Sequence, residues 1–160
     1  LEFCHHTLPL IQKSIPETTL YIVGADPSDE IRKLEAHKGV VVTGSVKDVR
    51  PYIMKTAAMV APLNIARGTQ NKILEAMAMG VPVVSSTLAA GGIDATPGEH
   101  FITADTPDEY AKVLVELMQS PELRTQYAKA GRERMLSNHF WGESMRKMER
   151  LVQDCVKNYV

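Results

Sequence analysis

Short apolar runs alternate along this chain with stretches in which apolar residues return every three or four positions. The runs at 19–24 (Thr-Leu-Tyr-Ile-Val-Gly), 39–44, 57–63, 82–86 and 101–104 predict five buried strands. Between them, Ser28 caps a helix over 28–37 with Ile31, Leu34 and Glu35 setting its period, and a short helix follows over 49–55. Cys4, Leu8, Ile11 and Ile15 keep a helical period ahead of the first strand, with Pro9 breaking or restarting that helix. From Thr106 the pattern is helical throughout. Thr106-Pro107-Asp108-Glu109 opens one helix, with Val113, Leu114, Leu117 and Met118 as its packing stripe. Ser120-Pro121-Glu122 opens the next, with Leu123, Tyr127 and Ala130 on one side. A last helix near Phe140 carries Trp141, Met145, Met148, Val152, Cys155 and Tyr159 as a core or interface stripe.

Strands buried on both faces and separated by helices predict a Rossmann-like α/β domain, a doubly wound parallel sheet with C-terminal helices. Ligands of such sheets sit beyond the carboxyl ends of the strands. Segments 24–26, 44–46, 63–69 and 86–92 are therefore expected to share one rim.

The most informative of these segments reads Ala-Arg-Gly-Thr-Gln-Asn-Lys-Ile-Leu-Glu-Ala-Met-Ala-Met-Gly-Val-Pro-Val-Val-Ser-Ser, residues 66–86. A helix entered through Arg67-Gly68-Thr69 presents unpaired N–H groups and a positive dipole end, which suits a phosphate or diphosphate. Glu75 shares a helix face with Asn71 and Lys72, whereas Ile73, Leu74 and Met77 lie mainly on the other side. One polar face thus offers a phosphate end and a carboxylate. The plainer reading makes Glu75 and Lys72 a surface ion pair and Arg67 a solvated charge; Arg67 could equally fork onto a phosphate. Gly24 and Gly44 read first as turn glycines, the commoner role of a single Gly after a strand.

Residues 66–86 resemble the donor-binding signature of retaining group 1 (family 4) glycosyltransferases with the GT-B fold, whose helix carries Leu-Glu-Ala-Met-Ala before Gly-x-Pro-Val-Val. The Arg-Gly-x-Gln-Asn-Lys entry is most similar to sugar transferases of exosortase-associated exopolysaccharide systems. The resemblance implies that Glu75 takes the ribose hydroxyls of a UDP- or GDP-sugar and that the N–H groups around Gly68, Thr69, Gln70 and Asn71 hold its diphosphate. It implies base contacts at Gly44, Ser45 and Val46, a further donor-binding position at Gly24, and a Gly91-Gly92 loop facing sugar and diphosphate. Arg67 stands where many members carry a further Glu, so Arg67 and Lys72 become the candidates for steadying charge on the leaving diphosphate. Asp94 follows the Gly-Gly loop in place of the family's Pro-linked acid. His139-Phe140-Trp141 is similar to the start of the family's terminal helix, with Trp141 an anchor. The likeness spans nearly all 160 residues, yet only the donor half of such an enzyme. The half's opening strand and the acceptor domain before it are not among these residues. The strands at 19–24 and 57–63 would then lack a central neighbour, and the chain alone is expected to be inactive and to associate through the open edges.

Composition narrows the alternatives. The chain is 44% hydrophobic and 23% charged with a net charge of −1, so nothing in it argues for nucleic acid. Cys4 and Cys155 lack metal-ligand spacing and the five histidines lack zinc patterns, which favours a reducing cytoplasmic setting and no metal. No Gly-x-x-x-x-Gly-Lys-[Ser/Thr], Gly-x-Ser-x-Gly or Asp-x-Asp motif occurs. No apolar run approaches the roughly 20 residues of a membrane span, leaving only peripheral contact at the inner membrane face. The competing readings are a noncatalytic doubly wound ligand-binding or receiver-like module and half of a nucleotide-sugar epimerase.

Overall fold

The computed structural model describes residues 1–138 and 141–158. A π-helical turn, Phe3–Thr7, runs directly into helix α1, Leu8–Ser14. Pro9 sits in the first turn of α1, where its missing N–H would have no intrahelical partner, so it restarts the helix instead of breaking it. Strand β1 (Leu20–Val23), helix α2 (Asp29–Arg32), a 3-10 turn (Lys33–Ala36), β2 (Val40–Gly44), α3 (Arg50–Met54) and β3 (Met59–Ala61) follow. Then come α4 (Asn71–Ala78), β4 (Val83–Ser85), α5 (Thr87–Ala90), β5 (Ile102–Thr103), α6 (Pro107–Gln119), α7 (Pro121–Asn138) and α8 (Trp141–Asn158).

All five strands lie inside the apolar runs that predicted them. The helix expected over 28–37 is two pieces. Ser28 caps the first by accepting from the Ile31 N–H at 3.4 Å, and the chain then tightens into the 3-10 turn, from which Glu35 Oε1 accepts the Val42 N–H of β2 at 3.4 Å. The rim segment 86–92 holds the short helix α5, because the Ser86 hydroxyl accepts from the Ala89 N–H at 3.1 Å and caps it. Thr106 and Glu109 form a reciprocal capping box at the start of α6, as their spacing suggested.

Every strand pairing is parallel, but the sheet is divided. β1 pairs with β2, while β3, β4 and β5 form a second sheet in that order. The amino-terminal helix spans the seam. Cys4 and Leu8 pack with Leu34 of the 3-10 turn and with Val40 and Leu20 of the first sheet; Phe3, Leu10 and Ile11 join Val84, Val60 and the α6 residues Tyr110 and Leu114 on the second. A third cluster, on the other side of the larger sheet, gathers Ile73 and Met77 of α4, Val83, Phe101 and Met135 of α7. Phe101, Ile73 and Leu117 are fully buried.

The sequence reading makes the α8 stripe core or interface, and the structure narrows that choice. Met148 and Val152 on the α8 stripe are 56% and 58% exposed, and Cys155 is exposed too, so the stripe is not core within these residues. A helical period identifies an apolar face, not the surface that covers it. The expectations for His139, Phe140, Tyr159 and the Trp141 side chain lie outside the described residues. No helix among the described residues is long and apolar enough to cross a membrane.

Candidate functional site

The segment joining β3 to α4 builds the site. Gly68 takes φ +66°, a left-handed conformation that costs a residue with a Cβ but not glycine, and this turns the chain into α4. Gln70 precedes the helix without side-chain capping; its carboxamide nitrogen instead donates back to the Arg67 and Gly68 carbonyls at 3.3 and 3.4 Å. The side chain thereby ties the turn together and leaves the helix amides uncovered. Among the described residues, the N–H groups of Thr69, Gln70, Asn71 and Lys72 meet no acceptor. Ile73, Ala76 and Met77 anchor the opposite side of α4 in the core, which fixes the face the helix can present. At its far end, Gly80 at φ +71° closes α4: the Val81 N–H reaches the Ala76 carbonyl at 3.0 Å and the Gly80 N–H reaches Met77 at 2.9 Å.

On the presented face, Asn71, Lys72 and Glu75 are all exposed. No ion pair joins Lys72 to Glu75 among the described residues, so the plain surface-pair reading lacks its contact. Arg67 is exposed as well and makes no ion pair there. The site can therefore offer orphan N–H donors, two free cations and one free carboxylate to a ligand.

Gly91 and Gly92 end α5 beside this turn. A Cβ on Gly92 would stand 2.4 Å from the Gly68 carbonyl oxygen, so the two backbones touch where no side chain fits. This contact joins two separately predicted parts of the site. Gly24, Gly44, Ser45 and Val46 form a second group at the carboxyl end of the smaller sheet, where Val23 and Gly44 are register partners. Gly44, at φ +63°, needs its glycine for the backbone turn.

Asp94 is not available as an open ligand group. Arg134 Nη2 donates to its Oδ1 at 2.6 Å, Arg134 Nε donates to its carbonyl at 2.9 Å, and Asn138 donates to Oδ2 at 3.2 Å. Sequence reading missed this grip, since a contact between residues so far apart in the chain leaves no local pattern. It likewise missed Asp105. That carboxylate accepts from the Thr87 hydroxyl at 2.6 Å and the Thr87 N–H at 2.8 Å, and these bonds hold its carboxyl below the usual range. Nearby, burial pushes the Tyr110 phenol up, and its oxygen has no hydrogen-bond partner among the described residues. Also among the described residues, no group of three or more His, Cys, Asp or Glu is arranged to hold a metal ion.

A turn with bare amides, followed by a helix with an unpaired carboxylate, on a parallel sheet, is the geometry the 66–86 signature implies. The sequence matches the family model of group 1 glycosyl transferases over residues 1–120. The chain belongs to the group 1 glycosyltransferases. Its group 1 fold is shared by solved GT-B enzymes. It covers 96% of this chain in superposition on sucrose-phosphate synthase of Thermosynechococcus elongatus, at a TM-score of 0.76 and 22% identity. Anabaena HepE, solved with UDP, gives 0.76 over 93% at 13% identity. In sequence, the group 1 chain is 31% identical over 134 residues, 79% of its length, to the phosphatidyl-myo-inositol mannosyltransferase of Mycobacterium leprae. The group 1 chain spans 35% of that relative and 42% and 45% of the two solved chains.

Proposed function

We propose that residues 1–160 are the donor-binding half of a retaining glycosyltransferase that uses a UDP- or GDP-sugar. The observation that carries this reading is the exposed Glu75 carboxylate, without an ion pair among the described residues, one turn into the helix whose entry amides from Thr69 to Lys72 are uncovered. The spacing suits a nucleoside diphosphate: amides and helix dipole take the phosphates, and the carboxylate accepts from the ribose hydroxyls. Arg67 and Lys72 supply charge to the leaving diphosphate, and Gly44, Ser45 and Val46 meet the base. Stabilisation of the leaving group comes from fixed donors and cations, which cost no reorganisation as charge develops. The binding of UDP by a structural neighbour is consistent with this donor class. In this reading the reaction belongs to polysaccharide or glycoconjugate assembly on the cytoplasmic side, and the likeness of the Arg67 to Lys72 entry to exopolysaccharide enzymes is what supports it. The family match weighs against the receiver-like and epimerase alternatives.

The remaining half, in this proposal, lies outside residues 1–160. What supports it is the sheet order. Among the described residues β1 pairs only with β2 and β3 only with β4, so the order β2-β1, then β3-β4-β5, is that of a doubly wound sheet without its central first strand. A cleft of about 610 Å³, lined by Glu2, Thr7, Asn64, Ser86 and the unpartnered Tyr110, opens near the carboxyl ends of β3 and β4. A preceding strand and its loop would fill both seam and cleft.

The chain alone is expected to give no sugar transfer, because the acceptor must be held by the other half. Incubation of purified 1–160 with UDP- and GDP-sugars and polyprenyl or saccharide acceptors tests this. No glycosylated product is the expected result. Transfer by the chain alone would refute the half-enzyme reading.

A further inference from the structure

The Gly91–Ala95 loop is held from two sides, and both holds converge on the turn before α4. On one side the loop lies against the turn: a Cβ added to Gly92 would stand 2.4 Å from the Gly68 carbonyl oxygen, 3.1 Å from its carbonyl carbon and 3.6 Å from the Thr69 Cα. The Gly68 carbonyl and the Thr69 N–H belong to one rigid peptide plane. Whatever presses on that oxygen therefore aims that N–H, one of the uncovered donors.

On the other side the loop is gripped by α7. Arg134 uses its planar fork twice on Asp94, on the carboxylate and on the backbone carbonyl, and Asn138 takes the second carboxylate oxygen. Arg134 is 29% exposed and the Asp94 side chain 58%, which leaves such a pair little weight in global stability. Its geometry is nonetheless specific, since a bond to the backbone carbonyl fixes the main chain and not merely a side chain. α7 is itself seated on α4: a Cβ on Gly131 would stand 2.9 Å from the His100 carbonyl oxygen and 3.6 Å from Met77 of α4. Ile93 and Ala66, on either side of the contact, belong to the same core cluster as Met77. The frame is closed: α4 to its entry turn, turn to Gly92, Gly92 to Asp94, Asp94 to α7, and α7 back to α4.

We propose that Arg134, through Asp94 and Gly92, is a positioning residue that holds the Gly68–Thr69 peptide in the orientation that receives a phosphate. It touches no substrate. This rests on the donor-site reading above, and it adds a residue on α7 to that site. Loss of the grip lets the loop retreat, so diphosphate contacts weaken while contacts to the nucleoside stay.

The test compares UDP with uridine, and GDP with guanosine, by calorimetry in the full enzyme. Arg134→Ala is expected to lower affinity for the diphosphate about tenfold, the scale of coupling between residues in contact, with nucleoside affinity and melting temperature unchanged. Arg134→Lys keeps the charge but not the two-point fork and should recover only part of the loss. Gly92→Ala should show the same diphosphate-selective loss, and the double variant should lose little more than either alone, because both act through one contact. Equal losses for diphosphate and nucleoside, no loss in Arg134→Ala, or strictly additive losses would each overturn the positioning role while leaving the donor site standing. Absence of diphosphate binding by the unsubstituted enzyme would overturn the donor site and this role with it.

Discussion

Replacing Glu75 with alanine in the full enzyme is expected to weaken nucleoside diphosphate binding by about 1.5–3 kcal/mol for each ribose hydrogen bond lost, roughly ten- to a hundredfold per bond. The size follows from the charge. A carboxylate accepting from a hydroxyl makes a shorter and stronger bond than a neutral acceptor, and the two ribose hydroxyls match its two oxygens. Stability should hardly change, because Glu75 is exposed and has no ion pair among the described residues to lose. Glu75→Gln separates charge from shape: it keeps an acceptor oxygen and should retain part of the affinity. Calorimetric titration of the three proteins decides the matter, and equal affinities would remove the ribose role.

Phe101→Ala should produce the largest loss of stability, about 3–5 kcal/mol. Phe101 is fully buried and packs into the cluster that holds α4, α7 and β4 together. Its carbonyl also accepts the Gly98 N–H at 2.7 Å, so its backbone secures the loop before β5. Against a typical total of about 5–15 kcal/mol, such a cavity leaves a domain near the edge of unfolding. Urea denaturation followed by circular dichroism reads the loss. A shift below about 1 kcal/mol would mean that this cluster does not carry the fold as described, whereas Phe101→Leu should cost far less by keeping most of the volume.

The parts of the fold that were legible in the sequence are those determined locally. Strands β1 to β5 announced themselves as apolar runs between breakers, and Ser28 and Thr106 announced helix starts through side-chain chemistry that needs only the next three residues. The core of the site was legible for the same reason, since Gly68 to Glu75 is one continuous turn and helix. What was not legible depends on neighbours distant in sequence. The π-helical turn at Phe3–Thr7 and the 3-10 turn at Lys33–Ala36 are adjustments that let short helices reach their sheet, and periodicity cannot distinguish them from α-helix. The apolar face of α8 reads as core or interface by period alone, and only the structure shows that it is exposed within these residues. The Arg134 grip on Asp94 joins α7 to a loop far earlier in the chain, and no spacing rule connects them. Gly92 shows the border between the two cases: a resemblance pointed to it, and only its approach to Gly68 explains why a side chain cannot stand there.

The central claim is that the turn before α4 receives a nucleoside diphosphate. Amide hydrogen exchange of the full enzyme, with and without saturating UDP or GDP, tests it most directly. The account predicts that added protection concentrates on the amides from Thr69 to Lys72, with the Gly44 to Val46 loop protected alongside, and that Glu75→Ala reduces this protection at fixed ligand concentration. Protection confined to other elements, with residues 69–72 exchanging as fast as in the free protein, would contradict it.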